Sequence, residues 1–135
     1  MNAAPLGAVY VAEAFPSQQV TASTNGDVFY SYQTKNDPGT NKYSGFMRSG
    51  AIYVSQSAGT GNNGGNYLQI TLQGRHDSTD PWATIPQVSE IKITTNAATG
   101  YYSALLGPLL PEMRIVVTET GTADATFRIH VVLLA

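Results

Sequence analysis

The stretch that decides the fold is residues 113–134, MRIVVTETGTADATFRIHVVLL, which contains two runs with the period-two alternation of half-buried β-strands. The inward side chains are Met113, Ile115 and Val117 in the first run and Phe127, Ile129, Val131 and Leu133 in the second. The linker between the runs, residues 121–124, has turn-forming composition. The stretch therefore predicts a β-hairpin at the centre of the core, where each large side chain contributes roughly 1.5–3 kcal/mol on burial.

The same alternation recurs along the rest of the chain. It predicts strands at residues 20–24, 27–34, 51–56, 67–74, 82–85, 88–94 and 101–106, with a bulge or break near Glu90. Turns rich in Gly, Pro and Asn separate these runs, and no segment has helical periodicity with capping signals. Short strands spaced about 10 residues apart predict an all-β protein, an antiparallel β-sandwich of jelly-roll type.

The 135 residues predict a single sandwich domain over residues 20–135, preceded by an extended N-terminal arm at residues 1–19. The arm has little regular pattern but many apolar side chains, so we expect it to dock on its own subunit or on a neighbour. Residues 35–49 and 57–66 are predicted loops. The second loop is dominated by Gly and Asn and lacks the lysine and following helix of a phosphate-binding loop.

Composition excludes several classes of function. Only 12% of the residues are charged, about half the usual share, and the net charge is -2. The seven Lys and Arg residues are scattered, which argues against nucleic acid and against a membrane surface. Without cysteine there is no disulfide, and no apolar run is long enough to span a membrane. The first residues do not have the features of a signal peptide, so we expect synthesis and assembly in a cytoplasm.

Reactive side chains are densest in the turn at residues 75–80, which contains Arg75, His76, Asp77, Ser78 and Asp80. Neighbours in one turn cannot converge as a hydrolase triad does, so turn-forming hydrogen bonds explain them best. A calcium site using Asp77 and Asp80 is an alternative, although nothing elsewhere completes its ligands. His76 and His130 alone do not make a zinc site, and no pair of carboxylates is singled out. We therefore predict no catalytic, cofactor-binding or metal-binding residues, no cofactor and no enzymatic activity.

The aromatic side chains favour binding. Eight tyrosines, several of them near loops or in outward positions, favour interfaces and also suit stacking on sugar rings. Trp82 is predicted to pack in the core against the inward face of the strand at residues 67–74.

A pattern in the C-terminal half resembles a recurrent small β-sandwich of tailed-bacteriophage virion proteins. The matching residues are Leu72-Gln73-Gly74, Asp77, Trp82, Pro111, Arg114, Thr120-Gly121-Thr122 and Phe127. They describe turns and core, so the resemblance implies no active site. It implies a virion structural subunit, such as a decoration, cement, head-fibre or tail component, that is usually oligomeric.

The resulting hypothesis is a non-enzymatic capsid decoration or cement subunit, assembled in the host cytoplasm and located in the virion. We expect it to form homo-oligomers, most simply trimers, and to bind the major capsid protein or another virion protein. The alternative is a carbohydrate-binding β-sandwich module with a glycan ligand. The candidate partner-binding residues, from the arm and the loop-proximal positions, are Leu6, Val9, Tyr10, Val11, Phe15, Tyr43, Phe46, Tyr53 and Tyr67.

Overall fold

The structure is a computed structural model that describes residues 9–31, 49–106 and 108–134. The strands are β1 (Val9–Val20), β2 (Thr24–Asn25), β3 (Phe29–Tyr30), β4 (Ser49–Thr60), β5 (Tyr67–Arg75), β6 (Ala83–Ile85), β7 (Ile91–Ile93), β8 (Thr99–Ala104), β9 (Glu112–Thr120) and β10 (Asp124–Leu134). Among the described residues no helix is long and apolar enough to cross a membrane.

The strands form two antiparallel sheets, which confirms the predicted β-sandwich. The first sheet has the order β1-β10-β4-β8, and the second has the order β2-β9-β5-β6. β3 continues β2 along β9, and β7 continues β6 along β5, so these four short strands act as two interrupted ones. Counted this way the described residues form eight strands, and successive strands lie in different sheets except at the connection from β5 to β6. This is the topology of a jelly roll, as the sequence predicted.

The core lies between the sheets and is built from the inward residues of each strand. All seven inward side chains predicted at residues 113–133 are buried. Phe127 stacks on Phe15 with ring centroids 5.2 Å apart and an interplanar angle of 11°. Such a stacked pair contributes about 0.5–1.5 kcal/mol beyond the area that it buries. The first and last strands are therefore joined through the core as well as through their ladder of hydrogen bonds.

The predicted hairpin at residues 113–134 is wrong in its pairing. β9 pairs with β5, β2 and β3 in the second sheet, whereas β10 pairs with β1 and β4 in the first. The turn between them crosses from one sheet to the other, with Gly121 at a φ of 69°. Alternation fixes which side chains face inward, but both a hairpin and a sheet-crossing arch satisfy it. The pattern alone could not distinguish the two.

The predicted arm boundary at residue 19 has no counterpart in the structure. Val9–Val20 is a strand of twelve residues that pairs with β10 along its length. Two irregularities in register lie between Glu13 and Phe15 and between Phe15 and Gln18. The bulges and Pro16 break the alternation, which is why the sequence looked irregular there. Of the predicted arm, residues 1–8 lie outside the described residues.

The Gly- and Asn-rich segment predicted as a flexible loop at residues 57–66 is ordered by buried hydrogen bonds. β4 extends to Thr60, and Asn62 follows it in a buried position. The Asn62 side-chain amide donates to the Asp124 carbonyl at 2.7 Å and to Asn96 Oδ1 at 3.0 Å, and the Asp124 N–H donates back to Asn62 Oδ1. The Asn62 side chain therefore connects the end of β4, the segment after β7 and the start of β10 by hydrogen bonds.

A second buried polar group extends the same network. The Gln56 side-chain amide donates to the Thr95 carbonyl at 2.7 Å, and the Tyr101 hydroxyl donates to Gln56 Oε1 at 2.8 Å. Burial raises the pKa of the Tyr101 hydroxyl above its ordinary value, which keeps the donating form present well into the alkaline range.

The predicted break near Glu90 is confirmed. The residues in the break connect the two sheets along one side of the sandwich. Between β6 and β7 the chain leaves β5 and bonds to the end of β8, where the Val88 N–H donates to the Ala104 carbonyl and the Leu106 N–H donates to the Pro86 carbonyl. These bonds link an edge of the second sheet to an edge of the first.

Candidate functional site

The outer face of the second sheet carries three residues of the C-terminal resemblance, Gln73, Trp82 and Arg114. Trp82 is half-buried there, with the guanidinium carbons of Arg75 and Arg114 at 4.1 and 4.4 Å from its ring centroid. Arg75 Nε donates to Glu112 Oε1 at 2.9 Å, and Arg114 Nε donates to Gln73 Oε1 at 3.0 Å. Arg75 and Arg114 alternate with buried residues along their strands and point outward. Trp82 contacts both of them and so lies outside the core, and the prediction that it packs in the core is wrong.

The other end of this face is built in the same way. The Lys92 ammonium lies 4.6 Å from the Tyr67 ring centroid and 3.4 Å from Glu90 Oε2. The hydrogen bond to Glu90 raises the pKa of Lys92. Gln69 donates to the other oxygen of Glu90 at 2.7 Å. The named charged groups on this face therefore have partners within the chain, and the face is suited to contact with water.

We expect the Trp82 cluster to contribute to stability. Trp82→Leu removes the ring that two guanidinium groups contact, so the free energy of unfolding should fall by about 1–2 kcal/mol. Trp82→Phe keeps an aromatic face and should lose less than Trp82→Leu. Urea unfolding followed by far-ultraviolet circular dichroism measures both variants, since neither retains the single tryptophan. Equal losses in the two variants would show that the guanidinium contacts contribute nothing.

The outer face of the first sheet has a different composition. Pairing across its four strands defines one row of Val11, Val132, Ala51 and Ala104 and a second row of Glu13, His130, Tyr53 and Tyr102. We call these eight residues the first-sheet face. Val11 is 53% exposed, Tyr53 is 45% exposed and Tyr102 is 64% exposed. On this face Glu13 Oε2 lies 3.7 Å from His130 Nε2, close enough for a loose ion pair when the histidine is protonated.

The Tyr53 side chain lies against Gly100 of β8 on the first-sheet face. A Cβ added to Gly100 would lie 2.8 Å from the Tyr53 hydroxyl oxygen and 3.4 Å from its Cζ. The hydroxyl end of the ring therefore lies close to the Gly100 backbone, and a side chain at residue 100 would have to displace it. Tyr53 remains 45% exposed and pairs directly with Tyr102 of the neighbouring strand.

The apolar surface continues around the β8 edge. Val88 and Leu106, both exposed, lie on the segments that bond across this edge beside Ala104. Of the seven exposed large apolar side chains among the described residues, only Val28 is on neither the first sheet nor this edge. Exposed apolar surface of this kind, collected on one side of a small domain, is typical of an interaction site.

The structure brings together only part of the predicted partner-binding set. Val11 and Tyr53 share the first-sheet face, whereas Tyr67 lies on the second sheet. Phe15 is buried in the core at 1% exposure, so its assignment to a partner surface is wrong. Val9 and Tyr10 are in β1, where only their strand pairing with β10 is described. The predictions for Leu6, Tyr43 and Phe46 lie outside the described residues.

Tyr102 is the main residue that the predicted set omits. It is the most exposed of the seven large apolar side chains and pairs directly with Tyr53. The alternation at residues 101–106 gives the signal that could have found it, since Ser103 and Leu105 are buried and Tyr102 points outward. Leu134, Val88 and Leu106 were also missed, and their exposure depends on strand order that alternation does not reveal.

The turn at residues 76–80 is held by its own side chains, as predicted. Asp77 Oδ1 accepts hydrogen bonds from the Thr79 hydroxyl at 2.6 Å and from the Thr79 N–H at 2.9 Å. These bonds lower the pKa of Asp77. His76, Asp77 and Asp80 offer ligand atoms within 4.8 Å of one another, but the turn is mostly exposed and its hydrogen bonds already explain these residues.

Comparison with known proteins adds one structural likeness. No protein-family model and no curated protein matches this sequence. A solved structure titled "Structure of infectious bursal disease virus Gx strain" is similar at a TM-score of 0.40 and 12% sequence identity, over 94% of this chain. This chain spans 32% of the length of that chain.

Proposed function

We propose that this protein is a non-enzymatic structural subunit of a virion that acts by binding other protein subunits through its first-sheet face. The observation that carries the proposal is the contrast between the two outer faces. Arg75, Arg114 and Lys92 on the outer face of the second sheet have partners within the chain, whereas the first-sheet face presents exposed tyrosines and a valine with few charges. Burying exposed apolar surface with few charges against another subunit is favourable, so the first-sheet face is the expected contact surface.

The finer proposal is a capsid decoration or cement subunit, and its support is the resemblance of the C-terminal half to phage virion proteins. The partners are then further copies of the chain, most simply three, and the major capsid protein. Location in the virion, after assembly in the host cytoplasm, follows from the same resemblance. Little in the architecture suggests contact by strand addition, because the β1 edge is interrupted by Pro16 and two bulges and part of the β8 edge is already bonded.

We expect Tyr102→Lys to weaken binding to capsids and to other copies. A buried interfacial tyrosine typically contributes about 2 kcal/mol, which corresponds to roughly thirtyfold in affinity. The measurement is co-sedimentation of the purified protein with capsids that lack it, with light scattering for self-association. Thr118→Lys adds the same charge at an exposed position of β9 in the second sheet and is the matched control.

Both variants should unfold at the wild-type temperature, since each position is exposed. If Tyr102→Lys binds capsids and its own copies as tightly as Thr118→Lys does, the first-sheet face is not the contact surface and the proposal fails.

A carbohydrate-binding module is the second candidate, and one observation favours it. Two exposed tyrosines, Tyr53 and Tyr102, are direct cross-strand neighbours, and adjacent tyrosine rings are suited to stacking on a pyranose ring. A glycan array with the wild-type protein and Tyr102→Ala tests this candidate. A signal that the substitution removes, without capsid binding by the wild-type protein, would favour the glycan over a protein partner.

A further inference from the structure

Two charged side chains among the described residues have no hydrogen-bond or ion-pair partner. Arg128 is exposed on the outer side of β10, next to His130 of the first-sheet face along the same strand. Asp27 is exposed in the break between β2 and β3, in the second sheet. The other described arginines and Lys92 all bond to or stack on neighbours. Arg128 and Asp27 are thus of opposite charge and available to another molecule.

Apolar side chains accompany both charges. Asp27 is followed by Val28, which is 39% exposed. Val28 is the exposed large apolar side chain that lies on neither the first sheet nor the β8 edge. Arg128 lies two residues from His130, whose cross-strand neighbour is Tyr53. Each location therefore combines one unpaired charge with exposed apolar surface, the composition expected of the two halves of one interface.

Asp27 and Val28 lie in a bulge whose start is held against β9. From Thr24 to Phe29 the chain takes five steps, while its partner β9 takes four, from Val117 to Met113, so one extra residue is present. Gly26 anchors this bulge, since its N–H donates to the Ile115 carbonyl at 2.8 Å. A Cβ on Gly26 would also lie 2.8 Å from the Ala14 carbonyl oxygen, which shows how closely this backbone packs under β1. Bulges of this kind redirect side chains away from the sheet.

We propose that copies of this chain associate head to tail, with the Asp27–Val28 bulge of one subunit docked on the Arg128 end of the first-sheet face of the next. The inference rests on the proposed function, because it names the occupant of the same face. The two contact surfaces are different parts of the molecule, so the interface is heterologous and closes into a ring when the rotation permits. Three subunits make the simplest such ring consistent with the expected trimer.

Charge reversal tests this arrangement in the full chain. Asp27→Arg and Arg128→Glu each place like charges at the contact, and each should weaken self-association about tenfold or more. The double variant D27R/R128E restores opposite charges and should recover most of the wild-type affinity. Ser78→Arg, in the exposed turn at residues 76–80, is the control for adding an arginine and should have no effect. Analytical ultracentrifugation over a concentration series measures all five proteins, including the wild type.

Each result decides between arrangements. Recovery in the double variant supports the head-to-tail contact, and an assembly of three supports the closed ring. If Arg128→Glu weakens association while Asp27→Arg does not, the copies pack face to face and the inference is overturned. If neither reversal matters but Tyr102→Lys still abolishes capsid binding, the occupant is the capsid protein and not another copy. The proposed function would then stand without this inference.

Discussion

Phe15→Ala is expected to lower the free energy of unfolding by about 3–5 kcal/mol, the usual loss when a fully buried aromatic side chain is truncated. Phe15 is 1% exposed and stacks on Phe127, so the substitution leaves a cavity where the first and last strands meet. Domains of this size are typically stable by about 5–15 kcal/mol, so the variant keeps only part of its stability. Denaturant unfolding followed by the fluorescence of Trp82 gives the value.

Val11→Ala is the matched control on the same strand. Val11 points outward and is 53% exposed, so its truncation should change stability by no more than about 0.5 kcal/mol. The comparison separates a strand of the sandwich from an arm that docks on a neighbour. If Phe15→Ala instead weakened only assembly and left the unfolding midpoint in place, the position of β1 in the core would be wrong.

Asn62→Ala should cost about 2–4 kcal/mol, because it leaves the Asp124 N–H and carbonyl without the buried side chain to which both are bonded. The Asp124 N–H and carbonyl and the Asn96 side-chain oxygen all bond to this one amide. Their loss should loosen the connections between β4, β7 and β10 at the same end of the sandwich. Hydrogen exchange of the Asp124 amide, together with urea unfolding, measures the local and the global effect.

Asn63→Ala distinguishes buried from exposed amides in this segment. The Asn63 side chain accepts hydrogen bonds from the Gly65 and Asn66 N–H groups, but it is exposed and water can replace it. We expect a loss of no more than about 1 kcal/mol. Similar losses at the two positions would contradict a specific structural role for Asn62.

The parts of the fold that depend on local pattern could be predicted, and the parts that depend on pairing could not. Alternation identified the buried side chains of β5, β9 and β10, since a side-chain period of two is a property of one strand. It did not reveal that β9 and β10 belong to different sheets. Their inward faces oppose each other across the core, and a hairpin would have shown the same alternation.

Residues of the candidate site could be predicted where a strand keeps the alternation of inward and outward side chains, and could not be predicted where a bulge interrupts it. Tyr53 lies in a regular strand, and its outward position follows directly from the buried Ile52 and Val54. Phe15 follows a bulge, so Ala14 and Phe15 are both buried and the phase read from Val11 fails there. Asn62 carried no signal at all, because a buried, fully bonded asparagine and an exposed loop asparagine are identical in sequence.

The position of β10 between β1 and β4 has a consequence for how the protein is made. Until residues 124–134 have left the ribosome, β1 and β4 have no strand between them, and their inward side chains have no completed sheet to bury them. Pairing of residues so far apart in sequence is slow, and the unpaired edges are open to association with other chains meanwhile. Fragments that stop before residue 124 should therefore aggregate, and the sandwich should form only after its last strand has been synthesised.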